Sequence, residues 1–127
     1  MADEPRVGAI AWIDLTVPNA TAIRDFYREV VGWTATEVTM GDHADYCMHA
    51  ASGEDPVTGI CHALGSNADL PPLWLIYISV TDLETSVSKC VALGGKVLVE
   101  PRALGAHGRM CVIQDPAGAV AALHCAK

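Results

Sequence analysis

The chain is short of charge and of aromatic rings: 18% of its residues are Asp, Glu, Lys or Arg, and 6% are Phe, Trp or Tyr. With 51% of residues apolar, that lack of charge excludes a disordered segment. No long hydrophobic run is present either. The longest, Leu73 to Ile78, falls far short of the ~20 residues that cross a bilayer. Basic residues are scarce, 8 against 15 acidic ones, for a net charge of −7 and a pI near 5.0. That sign argues against nucleic acid or an anionic membrane as partner. No C-x-x-C pair occurs among Cys47, Cys61, Cys90, Cys111 and Cys125, which are spaced by 14 residues or more. A zinc cluster and a thioredoxin-like motif are therefore not written here. An odd set of cysteines inside apolar runs reads as reduced, buried thiols of a cytoplasmic protein. Met1 to Pro5 is acidic and has no apolar segment, so it is not read as a signal peptide.

What the chain does have is punctuation. Eleven glycines and seven prolines, scattered over 127 residues, separate many short elements within one domain's length of chain. It also repeats itself. A shift of 63 positions superposes Val17 on Val80, Asn19 on Asp82, Val30 on Leu93 and Gly32 on Gly95. Asn19 and Asp82 suit helix N-caps, and the glycines suit the residue after a helix end. Late in each half a shift of 62 places His62 on His124.

Each half then reads as strand, helix and three strands. The single domain, 1–127, divides into module one at about 8–64, a linker at 65–72 and module two at about 73–126. Module one is read as a strand over 9–17, a helix from Asn19 to Gly32, and strands near 33–40, 45–50 and 57–64. Ile23, Phe26, Tyr27 and Val30 recur at helical spacing as the buried face. Module two is read as a strand over 73–80, a helix over 83–93, and strands near 96–100, 109–114 and 118–125. Asp115-Pro116-Ala117-Gly118 has the residues of a type I turn, which makes the last two strands a hairpin.

Strand parity separates a core face from a second, mixed face. In the first strand Ala11, Ile13, Leu15 and Val17 are apolar, and Ile10, Trp12, Asp14 and Thr16 face the other way. In its counterpart Trp74, Ile76, Ile78 and Val80 oppose Leu75, Tyr77 and Ser79. In the closing strands Val57, Gly59, Cys61 and Ala63 oppose Thr58, Ile60, His62 and Leu64, while Ala119, Ala121, Leu123 and Cys125 oppose Val120, Ala122 and His124. Two curved sheets of this kind would enclose an amphipathic cup lined by Trp12, Asp14, His62, Tyr77 and His124. A lining with much apolar area and few polar groups suits a small organic molecule.

Several segments in order carry a family likeness: Trp12-Ile13-Asp14-Leu15, Phe26-Tyr27 ahead of Gly32-Trp33, Tyr77 to Asp82, Ala92-Leu93-Gly94-Gly95, and Gly108-Arg109-Met110 leading to Asp115-Pro116-Ala117-Gly118. In these the chain resembles the vicinal oxygen chelate superfamily, which includes glyoxalase I, bleomycin-resistance proteins and extradiol dioxygenases. The resemblance implies an α+β fold of paired βαβββ modules whose mixed sheets curve into a cup-shaped cavity, and a homodimer. It also implies a divalent metal held by His, Glu or Gln from each module's first and last strands. The matching positions here are Trp12, Leu75, Ala122 and Ile60, none of which has a donor for such an ion. A metal-dependent glyoxalase I activity is therefore not expected, and neither a metal nor another cofactor is.

The leading expectation is a small-molecule-binding protein, with Trp12, Asp14, His62, Tyr77, Ala122 and His124 as contact residues. Asp14, His62 and Tyr77 are its candidate acid–base groups for a metal-independent lyase or isomerase, since histidine titrates near neutrality. Alternatives are a non-catalytic sequestering protein, a metal enzyme with ligands displaced to Asp14, His62, Tyr77 and His124, and a structural domain whose cup is plugged by Trp12. Each polar residue also has a plainer reading as a hydrogen-bonded group at a strand end. Phe26 and Tyr27 are expected in the core. His43 and His49 are expected at the surface or a strand edge, and His107-Gly108-Arg109 in a loop that gates the cup, recognises an anion or is simply solvated.

Overall fold

The computed structural model describes residues 6–126. Its elements run β1 (Ile10–Val17), α1 (Ala20–Val31), β2 (Thr34–Met40), β3 (His43–His49), β4 (Pro56–His62), β5 (Trp74–Ser79), α2 (Leu83–Ala92), β6 (Lys96–Ala103), β7 (Arg109–Gln114) and β8 (Val120–Cys125), with 3-10 turns at Gly65–Asn67 and Gly105–His107. The βαβββ order occurs twice and the class is α+β, as expected. The described residues form two compact units, one of residues 13–74 and one of residues 6–12 with 75–126, so that β1 lends its first residues to the second.

In the unit of residues 13–74 the strand order is β2-β3-β4-β1, with β1 parallel to β4 and the other pairs antiparallel. Leu15, Val17, Ala20, Tyr46, Met48 and Ile60 form its buried cluster, and Ile23, Tyr27, Trp33 and Trp74 pack against it. Burying an Ile or Met side chain contributes about 1.5–3 kcal/mol, so this apolar side decides how the strands are turned. Helix α1 stops at Gly32, whose φ of 84° is cheap only for glycine and whose N–H bonds to the Arg28 carbonyl at 3.0 Å. Two expectations for this helix fail. The Asn19 side chain makes no capping bond. Phe26 and Val30 are 53% and 63% exposed, because the buried stripe runs through Ala20, Ile23 and Tyr27 and leaves Phe26 at its edge, ring edge-on to Tyr27.

The parity assigned to β4 is also corrected. Its register with β1 is Asp14↔Gly59, Leu15↔Ile60, Thr16↔Cys61 and Val17↔His62. Directly paired residues share a face, so Ile60 and His62 lie with Leu15 and Val17 on the α1 side. Gly59 and Cys61 lie with Asp14 and Thr16 on the side turned away from the helix. In the other unit β5 pairs with β8 as Tyr77↔Ala122, Ile78↔Leu123 and Ser79↔His124. Each of these pairs is a module-one pair moved by 63 residues, so the repeat runs without slippage to the end of each module. The 62-residue match of the two histidines was off by one, and a one-residue slip sends a side chain to the opposite face.

The unit that contains residues 75–126 has the order β5-β8-β7-β6. Leu83, Cys111, Leu123 and Cys125 are buried together, with Ile78, Val80, Val87 and Ile113 against them, which places α2 on the expected face. Asp82 caps α2 by accepting the Glu84 N–H and the Thr85 hydroxyl, both at 3.0 Å. The left-handed glycine behind the helix is Gly94 rather than Gly95. Gly95 is needed for a different reason, since a Cβ there would meet the Cys90 sulfur at 2.5 Å. The β7–β8 turn closes as expected: the Gly118 N–H bonds to the Asp115 carbonyl, and Asp115 Oδ1 accepts from the Ala117 and Ala119 N–H groups.

Candidate functional site

In the second unit the strand alternation leaves Leu75, Tyr77 and Ser79 of β5, Ala122 and His124 of β8, and Met110 and Val112 of β7 on the face opposite α2. Met110 pairs with His124 and Val112 with Ala122. All but His124 are buried. Of the six residues singled out from sequence, Tyr77, Ala122 and His124 are thus brought onto one face. Trp12 belongs to the same unit and is half-buried.

The His124 ring is anchored from outside the strand, its Nε2 lying 2.5 Å from the backbone carbonyl oxygen of His107. A carbonyl only accepts, so Nε2 carries the hydrogen and the Nδ1 of the neutral ring keeps its lone pair. That Nδ1 is buried and meets no hydrogen-bond partner among the described residues, and the same holds for Oγ of Ser79, the residue paired with His124. The anchor depends on Gly108. A Cβ at Gly108 would land on the Cys125 carbonyl and lie 2.9 Å from Cα of Ala126, and its φ of 91° belongs to glycine. Arg109 begins β7, and its guanidinium is tied to both Glu84 carboxylate oxygens at 3.1 and 2.5 Å.

In the unit of residues 13–74 Asp14 lies across Gly59, where its Oδ1 takes the space that a Cβ would fill. Cys47 pairs with Gly59 on the other side, and Asp45 and Cys61 lie on the same face by register. Burial pushes both the Cys47 and Cys61 thiols up, and the Asp14 carboxylate pushes them further. Both shifts favour the protonated thiol near pH 7. Burial also raises Cys111, to about 11.

His62 is the clear departure from expectation. It lies on the α1 side, where its Nδ1 bonds to the Ala44 carbonyl at 2.8 Å and sits 3.5 Å from Asp45. Its backbone N–H donates to Asp45 Oδ1 at 2.8 Å, and its ring stands 5.6 Å from that of His43 and 6.1 Å from that of Tyr46. By register it stands on the Leu15 side at the end of β4, where its ring is held by the Ala44 carbonyl and reaches Asp45 and His43 at the strand edge. His49 is likewise held by Thr36 and the Glu54 carbonyl. Sequence reasoning passed over Ser79 and Cys61. Carrying the 63-residue shift through to the last strands would have found Cys61, as the counterpart of His124.

The residues do not fit the divalent ion that the family likeness implies. The register makes Gly59, not Ile60, the counterpart of Ala122, so the four positions hold Trp12, Gly59, Leu75 and Ala122, without one donor atom among their side chains. Among the described residues no three His, Cys, Asp or Glu side chains are grouped to hold a metal. No helix among the described residues is long and apolar enough to cross a membrane.

Comparison with known proteins agrees with this architecture. Among solved structures, the chain is similar to methylmalonyl-CoA epimerase from Mycobacterium tuberculosis, with a TM-score of 0.54 at 15% identity over 100% of this chain and 93% of that one. It is also similar to the Mn(II)-bound glyoxalase from Novosphingobium aromaticivorans, with a TM-score of 0.58 at 18% identity over 97% of this chain and 40% of that one. Both likenesses concern the fold alone. In sequence the chain is 33% identical over 121 residues to CFP32 of Mycobacterium tuberculosis, a protein that carries a glyoxylase name. It is 32% identical over 127 residues to the anthracycline biosynthesis protein DnrV of Streptomyces peucetius. The matches cover 94% and 91% of this chain but 46% of each relative, so the chain spans about half the length of the curated relatives it matches. A family profile covers residues 9–123, nearly the whole repeat, and with it the chain belongs to the Glyoxalase/Bleomycin resistance protein/Dioxygenase superfamily.

Proposed function

We propose that this chain binds a small organic molecule on the helix-averted face of its second unit and acts on it as a metal-independent lyase or isomerase. Trp12, Tyr77, Ala122 and His124 are its contact residues. The observation that carries the reading is the exchange of donors for polar groups one rung along. Leu75 and Ala122 offer no metal ligand, while Tyr77 and His124, two residues on, put a phenol and an imidazole on the same buried face. An imidazole and a phenol in apolar surroundings suit proton removal and return at a carbon or oxygen of a bound molecule. Asp14, on the corresponding face of the first unit, is kept as a further acid–base candidate. His62 is not, because its ring is tied to the Ala44 carbonyl and Asp45 at the end of β4. A second copy of the chain is the proposed partner, which sedimentation velocity checks.

The test is a thermal-shift screen of organic ligands with and without EDTA, followed by product analysis for each hit. A hit that survives EDTA, is lost in Tyr77→Phe and is kept in His62→Ala supports the reading. Binding without turnover would make the chain a sequestering protein instead. Hits that require added metal, or none across diverse chemotypes, would overturn it.

A further inference from the structure

We propose that Ser79 and His124 form a paired hydrogen-bonding site that reads the edge of a neutral amide-type group. His124 Nδ1 accepts from the ligand's N–H, and Ser79 Oγ donates to its carbonyl. The inference rests on reading this face as the ligand face and adds the chemistry that it recognises.

Three observations converge on it. Ser79 is 3% exposed, and its hydroxyl has no hydrogen-bond partner among the described residues; His124 Nδ1 is buried in the same condition. Native interiors rarely leave such groups unmatched, and two together mark a place where a partner is supplied from outside the protein. Second, the two residues are a register pair on adjacent parallel strands, with backbones about 4.8 Å apart. Their polar atoms therefore address neighbouring atoms of one ligand rather than distant ends of it. Third, the His107 carbonyl fixes which nitrogen accepts. With Nε2–H donated outward at 2.5 Å, Nδ1 presents a lone pair and the serine presents a hydrogen.

One acceptor beside one donor matches an amide edge, which offers N–H and C=O side by side. It repels a carboxylate, which has no hydrogen for Nδ1. The apolar frame of Met110, Val112 and Ala122 also favours a neutral group over an ion.

The experiment uses the intact chain labelled with 15N in its histidines, read by long-range proton–nitrogen correlation spectra above neutral pH. The expected result is a His124 ring protonated at Nε2, with an Nδ1 resonance that moves on titration with acetamide and stays in place with sodium acetate. In Ser79→Ala, acetamide binds about fivefold more weakly, the loss of one neutral hydrogen bond, while the Nε2–H tautomer persists. A proton on Nδ1, an equal response to acetate, or an Nδ1 that ignores acetamide because a bound water satisfies it would each overturn the proposal. The two readings separate cleanly. Ligands found by thermal shift with a silent Nδ1 would remove this pair alone. An acetamide response without any thermal-shift hit would remove the wider ligand face and leave the pair.

Discussion

Replacing Gly108 by alanine tests the link between the 105–108 loop and the imidazole of His124. Two penalties fall on one atom. Gly108 has φ 91° and ψ −140°, a region that side chains avoid, at a cost of about 1–3 kcal/mol. The added Cβ would also overlap the Cys125 carbonyl and sit 2.9 and 3.0 Å from Cα and C of Ala126, all backbone atoms that cannot swing away. Overpacking of that kind costs about 1–3 kcal/mol more. The sum, about 2–6 kcal/mol, is to be measured by urea denaturation at fixed pH. Gly105→Ala is the internal comparison: its φ of 57° is also left-handed, but nothing lies within 4 Å of the new Cβ. That change should cost about 1–2 kcal/mol. The contact is therefore the main difference between the two variants. The His107 carbonyl that holds His124 Nε2 is next to Gly108, so Gly108→Ala should also disturb the Nε2–H tautomer, which Gly105→Ala leaves alone. A loss below about 1 kcal/mol in Gly108→Ala, or equal losses in the two variants, would refute the reasoning.

The two helix starts should respond differently. Asp82→Ala removes the two bonds that begin α2 and is expected to cost about 1 kcal/mol, whereas Asn19→Ala, which removes no capping bond, should stay within about 0.5 kcal/mol in the same denaturation assay. Alkaline pH should destabilise the chain. The Cys47, Cys61 and Cys111 thiols are raised in the fold above the ~8.5 of an unfolded cysteine. A raised value means that their stabilisation is whole below that pH and is lost as pH rises, for Cys111 through about 11. Each thiol still protonated in the fold adds about 1.4 kcal/mol per pH unit to the slope. Stability measured from neutrality into the alkaline range should fall less steeply in Cys61→Ala, and an unchanged slope would contradict the assignment.

The limit of sequence reading is seen most plainly at Ile60 and His62. Alternation showed that β4 has two faces, yet both of its sets contain apolar residues, so composition could not say which face lies under α1. The choice rested on matching one histidine to another, and histidine on a strand end is compatible with either side. Tyr77 and His124 were easier. Leu123 and Cys125 beside Ile78 and Val80 make one face of module two unmistakably apolar, and the polar residues then have one place to go. Phe26 was misplaced for a related reason. Helical spacing defines a stripe about 100° wide, and the residues at its margin are decided by the partner surface.

The order of elements, the duplication and the hairpin at Asp115 were all legible in the amino-acid order, because each depends on residues close in sequence or on a periodicity that the chain repeats. Three features required the folded chain: the pairing of Asp14 with Gly59 that carries the 63-residue repeat into the closing strands, the turning of Ile60 and His62 to the Leu15 side, and the meeting of Ser79 with His124 under the anchor from His107. These depend on which backbone hydrogen bonds form between strands 45 residues apart in the chain, and a displacement of one residue there reverses every side chain along the strand.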